Sequence, residues 1–81
     1  MRIISQNGKF DLPYENLAIF VEYENVIARF ENERYLLGQY SSEAKAIKAM
    51  EMLRKAWKFE TGIYHRNIIF QFPQDDDKRL N

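Results

Sequence analysis

The stretch Ser41–Gly62, SSEAKAIKAMEMLRKAWKFETG, is the one part of the chain whose apolar residues recur at helical spacing. Ala46, Ala49, Met50, Leu53, Ala56 and Trp57 gather on one side of a helix. The small alanines there allow close approach to a sheet, while Met50, Leu53 and Trp57 fill the remaining space. Ser41 or Ser42 supplies the N-cap and Glu43 an anion in the first turn. A reciprocal capping box is lacking, because Ala44 and Lys45 stand where Glu or Gln would be. Thr61-Gly62 ends the helix. A lone amphipathic helix must bury its stripe against something, and the remaining segments read as short strands. The fold class is therefore α+β, with one helix packed across a sheet.

Turn chemistry orders the strands. Asn7-Gly8 is a strong hairpin signal, since a type I′ turn needs positive φ at both central residues. Pairing around it sets Ser5 opposite Phe10 and Ile3 opposite Leu12, with Ile4 and Asp11 on the other face. Pro13 closes the second strand, and Tyr14-Glu15-Asn16 is a connecting turn.

Leu17–Tyr23, Asn25–Glu31 and Arg34–Tyr40 then form an antiparallel meander with turns at Glu24-Asn25 and Asn32-Glu33. These turns place Ile19 opposite Phe30, Val21 opposite Ala28, Tyr23 opposite Val26, Phe30 opposite Tyr35 and Ala28 opposite Leu37. Both registers select one apolar face, which a one-residue slip in either would break. On the reverse face Glu31 pairs with Arg34. The final strand, Asn67–Phe72, alternates Ile68, Phe70 and Phe72 against Ile69 and Gln71 and returns to the sheet. The expected domain is 1–73, with 74–81 a solvated acidic and polar tail.

At 81 residues there is room for one small core, and an apolar fraction of 46% with 15% aromatic residues is enough to build it. Twelve basic residues balance twelve acidic ones, so no global field draws the chain to nucleic acid or membrane. The absence of cysteine rules out disulfides and thiolate chemistry and suits a reducing cytoplasm. No apolar run approaches the roughly 18 residues of a membrane span, and no signal peptide opens the chain. Cytoplasmic location follows as the expectation.

Signals for chemistry are few. His65 is the only histidine, so no two-histidine metal site or histidine relay can be built within one chain. It reads as a strand-edge residue, with a pH-sensitive or ligand role as the sharper alternative. Ser5, Ser41 and Ser42 lie outside any nucleophile elbow, and Gly8, Gly38 and Gly62 are isolated rather than part of a phosphate loop. Asp75-Asp76-Asp77 lacks the alternating spacing of a calcium loop. No catalytic, cofactor or metal residues are assigned, and the chain reads as non-enzymatic.

Two binding readings remain. Lys45, Lys48, Lys55 and Lys58 make the helix basic, as a nucleic-acid accessory protein requires. Glu51 interrupts that stripe and forms a favourable i,i+4 pair with Lys55. The stronger reading is protein contact. The reverse face of the meander carries Phe20, Ile27 and Leu36 among Glu22, Arg29, Glu31 and Arg34, an apolar patch with a charged rim. The expected registers place Phe20 opposite Arg29, Arg29 opposite Leu36 and Ile27 opposite Gly38. Met52 and Phe59, two turns apart on the edge of the helix, form a second candidate. The patch is either a contact surface or buried beneath the first hairpin or the last strand.

The opening MRIISQNGKFDLPYE, the helix SSEAKAIKAMEMLR and the closing FQFPQDD resemble a family of small uncharacterised proteins found in prophages and conjugative elements of Gram-positive bacteria. The resemblance spans both ends and the helix. It implies a mobile-element context in a bacterial cytoplasm, and with it an accessory role that extends to inhibiting a host or defence protein. It implies no cofactor. The short Ile63–Arg66 connection departs from relatives that carry extra residues between helix and last strand. The expected whole is a phage or mobile-element protein-interaction module, alone or as a homodimer.

Overall fold

The computed structural model describes residues 1–59 and 68–81. The chain runs through β1 (Arg2–Ile4), β2 (Asp11–Pro13), a 3₁₀ turn (Tyr14–Asn16), β3 (Ala18–Glu22), β4 (Asn25–Phe30), β5 (Glu33–Gln39), α1 (Glu43–Phe59), β6 (Ile69–Gln71) and a second 3₁₀ turn (Lys78–Leu80). The architecture is the expected α+β, but the strands make two three-stranded sheets. One is the antiparallel meander β3-β4-β5. The other is mixed, in the order β2-β1-β6, with β6 parallel to β1. The last strand therefore returns to the first hairpin, not to the meander. Its alternation holds: Phe72 is buried and Phe70 half-buried, while Ile69 is 65% exposed.

The first hairpin has the expected register, Ile3 opposite Leu12 and Ile4 opposite Asp11. Its turn is not type I′, because only Gly8 adopts positive φ, at 75°. The Gly8 amide donates to the Ser5 carbonyl at 2.9 Å, which sets the tight turn one residue earlier. The buried Ser5 hydroxyl accepts from the Phe10 amide at 3.0 Å and donates to Asn7 Oδ1 at 2.7 Å. That hydroxyl closes the wider loop.

The meander forms in a register shifted by two residues from the expected one. Ile19 pairs with Ala28, Phe20 with Ile27 and Val21 with Val26; Ile27 pairs with Leu36, Ala28 with Tyr35 and Arg29 with Arg34. The turns fall at Tyr23-Glu24 and Glu31-Asn32, where Tyr23 (57°) and Glu31 (59°) take positive φ. Moving a turn by one residue moves the register by two. An even shift leaves every side chain on its face, so the apolar face survives the correction. Between Val26 and Ile27 the register to β5 shifts again, and Val26 pairs with Gly38. This bulge brings Gly38 and Tyr40 to the core side, where Val26 and Tyr40 are both buried. It also leaves the Leu37 carbonyl to accept from the Gln6 amide at 2.7 Å, while Gln6 Oε1 accepts from the Gln39 amide at 3.0 Å. Gln6 thus joins the two sheets.

Ser42 caps α1, its hydroxyl accepting from the Lys45 amide at 3.2 Å. Ala46, Ala49, Met50 and Leu53 are buried against β3 and β4, with Trp57 half-buried beyond them. Ile3, Leu12 and Phe72 of the mixed sheet and Val26, Ala28 and Leu37 of the meander complete one core.

The C-terminal segment joins that core, contrary to the expected solvated tail. Leu80 is only 5% exposed and packs in the central cluster. Asp75 Oδ1 accepts from the Ser41 amide at 2.7 Å, Lys45 Nζ donates to the Asp75 carbonyl at 2.9 Å, and the Tyr40 hydroxyl donates to the Pro73 carbonyl at 2.9 Å. Asp77 caps the last 3₁₀ turn by accepting from the Arg79 amide. Charge composition suggests solvation, but each of these carboxylates has a nearby donor. No helix among the described residues is long and apolar enough to cross a membrane.

Candidate interaction surface

Alternation sends Ile19, Val21, Ala28 and Tyr35 toward the core, so Phe20, Ile27 and Leu36 point to the reverse face. The observed register sets these three directly opposite one another in a single row across β3, β4 and β5. The expected pairings of Phe20 with Arg29, Arg29 with Leu36 and Ile27 with Gly38 are not those formed. The two-residue shift makes the patch more continuous than expected. None of the three belongs to the core cluster.

Burial along the row is uneven, and Arg34 is the reason. Its guanidinium carbon lies 5.7 Å from the centre of the Phe20 ring, and its Nη2 donates to Glu22 Oε1 at 2.9 Å. To reach Glu22 from β5 the side chain must cross Ile27 and Phe20, an arginine stem lying over apolar surface with its charged head paired beyond. Ile27 is accordingly 7% exposed and Phe20 half-buried, while Leu36 remains 40% exposed at the far end. The anticipated Glu31–Arg34 pair is thus replaced by Glu22–Arg34. Arg29 stands between Ala18 and Arg34 in register, exposed.

The helix-edge candidates fare differently. Met52 is half-buried and packs against the core, which answers for its apolar character without a partner. Phe59 is the last residue of α1, and its side chain lies outside the described residues, as do His65, the Thr61-Gly62 stop and the Ile63–Arg66 connection. On the basic face, Lys45 is tied to Asp75, and Lys48 Nζ lies 3.6 Å from Glu51 Oε2. Glu51 therefore pairs with Lys48 where Lys55 was expected. Lys55 and Lys58 are exposed.

Electrostatics concentrate where the C-terminal segment docks. The Ser41 amide, then Lys45, holds the Asp75 carboxyl below the usual carboxylate range. Arg79, through its side chain and its amide, lowers Asp77 to about 2. Burial pushes the Tyr40 hydroxyl well above the ordinary tyrosine range, and the Asp75 and Asp77 charges add to it.

Sequence reasoning missed two features. Ile47 is exposed on the outer side of α1, a single apolar residue that the helical stripe does not include. An open cleft of about 370 Å³ lies beside β3, lined by Tyr14, Glu15, Leu17, Ile19, Met50, Leu53 and Arg54. Its lining mixes apolar side chains with the polar groups of Tyr14, Glu15 and Arg54. The Tyr14 ring meets that of Trp57 at a centroid distance of 4.9 Å, tilted by 39°. Leu17 and Ile19 are recognisable as core-facing from alternation, but that the helix stops short of covering them is a matter of packing. No protein family, curated protein or solved structure matches the chain.

Proposed function

We propose that this chain is a non-enzymatic protein-interaction module whose contact surface is the reverse face of the meander, centred on Phe20, Ile27 and Leu36. The observation that carries the reading is the alignment of these three side chains in one cross-strand row outside the core, ending on an exposed Leu36. An apolar row flanked by Glu22 and Arg29, with the Arg34 stem laid over part of it, has the mixed anatomy of a contact patch. In the mobile-element setting that the resemblance implies, its role is that of an accessory protein acting on a host or defence protein in the cytoplasm.

The competing class is a nucleic-acid-binding accessory protein that uses Lys45, Lys48, Lys55 and Lys58. Two of those lysines already face carboxylate or carbonyl partners within the chain, which weakens that reading. The test is affinity capture from bacterial lysate with wild type and Leu36→Asp, each with and without nuclease. The expected result is a partner that survives nuclease and physiological salt and is lost with Leu36→Asp. Loss of every partner on nuclease treatment would favour the nucleic-acid reading, because phosphate-driven binding falls steeply with salt and needs the polymer.

A further inference from the structure

β3 is the outer strand of the meander, and among the described residues no hydrogen bond satisfies the side of it that faces away from β4. The two-residue turn Tyr23-Glu24 makes Glu22–Asn25 the first bonded pair, and bonded pairs then alternate along the hairpin. Glu22, Phe20 and Ala18 therefore bond to β4. The amides and carbonyls of Ile19 and Val21 are directed outward. The strand lacks the strongest protections of an edge: AIFVE contains no proline, no lysine and no bulge, and its one charge, Glu22, sits at the end. Beside it lies the open cleft of mixed character, lined by Leu17, Ile19, Met50 and Leu53 together with Tyr14, Glu15 and Arg54. Unpaired backbone next to a recess for alternate side chains is what an added strand occupies.

We propose that the strand added there is β3 of a second copy of this chain, running antiparallel about a twofold axis at Phe20; this self-contact goes beyond the contact with another protein proposed above and uses the strand edge. Several features of β3 favour a copy of itself. The register that sets Phe20 against Phe20 uses all five residues of the strand. It pairs Ile19 with Val21 of the second copy and Val21 with Ile19, so the outward amides and carbonyls meet in two bonded pairs. It also brings Val21 of the second copy to the open mouth of the cleft beside Ile19. On the reverse face each row then continues through the axis, Leu36-Ile27-Phe20 meeting its own image. Charges agree as well. Glu22 of one copy falls opposite Ala18 of the other, a small exposed residue, next to Arg29, which makes no ion pair among the described residues.

Two measurements on the purified full chain, and two sets of variants, test this. Sedimentation equilibrium across micromolar to millimolar concentration is expected to show a monomer–dimer equilibrium. Amide exchange at Ile19 and Val21 is expected to slow as concentration rises, with Phe20 and Glu22 protected throughout. Ala18→Glu sets like charges opposite each other across the axis and is expected to weaken the dimer about tenfold, whereas Ala18→Lys faces Glu22 and tightens it. Ala18 is exposed but lies opposite Arg29 in its own chain, so circular dichroism verifies that each variant is folded before its association is compared. Val21→Pro removes an outward amide while sparing the β4 ladder, and is expected to give a folded monomer. If Val21→Pro fails to fold, the opposed Ala18 pair decides the register. A chain that stays monomeric at the highest concentration, or a dimer indifferent to the Ala18 charge, overturns the proposal. The proposed function would then stand or fall separately on the Leu36→Asp capture experiment.

Discussion

Single residues do more here than their types announce. Arg34 and Glu22 form an exposed pair, which contributes a few tenths of a kcal/mol at most. Its larger effect is geometric, since reaching Glu22 lays the arginine stem over Ile27. Gly38 is required for a different reason. A Cβ built there would come within 2.8 Å of the Tyr40 ring, and that ring is buried and held by its hydroxyl on the Pro73 carbonyl. Gly38→Ala is therefore expected to destabilise the protein by about 1–3 kcal/mol, the range for overpacking. Chemical denaturation should show the cost shrinking in a Tyr40→Leu background, where the obstructing ring is gone. Equal costs in both backgrounds would remove Tyr40 from the explanation.

Elements show where periodicity is sufficient and where it is not. The helix and its stripe are legible because four buried positions, Ala46, Ala49, Met50 and Leu53, recur at one spacing. The faces of the meander strands are legible for the same reason. The turns are not. Tyr23 and Glu31 take left-handed conformations that side chains of their kind disfavour, so no Asn or Gly marks those positions. The C-terminal segment is a docked element held partly by carboxylates. Asp75 and Asp77 have folded values depressed below their unfolded ones, so their contribution is present above the ordinary carboxylate value, about 4, and lost as pH falls. Asp77 titrates at about 2. Docking is expected to loosen between about pH 4 and pH 2, read as faster amide exchange at Ser41 and Arg79, the two amides that donate to these carboxylates. Exchange that, after correction for intrinsic rates, is flat across that window would separate the docking from these two groups.

At the scale of the whole molecule, one core joins two sheets, the helix and the C-terminal turn, and Leu80 is the residue that ties in the last of these. Leu80→Ala is expected to cost about 2–4 kcal/mol. Unfolding should remain a single transition, with Trp57 fluorescence and far-ultraviolet circular dichroism coincident; a cost near zero would return 74–81 to the status of a tail. The outward row of Phe20, Ile27 and Leu36 was legible as three residues on one face, yet not as neighbours, and the path of Arg34 over Phe20 to Glu22 was not legible at all. The α+β class, the faces of the strand residues up to the bulge in β5, the first hairpin's register and the buried side of α1 are all written in the local pattern. These follow from periods of two and 3.6 residues and from one glycine turn, all local along the chain. Packing alone sets the division of the strands into two sheets, the parallel pairing of β6 with β1, the inward turn of Gly38 and Tyr40 at a bulge and the burial of Leu80. Those outcomes depend on competition among contacts between residues far apart in the chain, where several pairings satisfy the same local pattern and packing selects one.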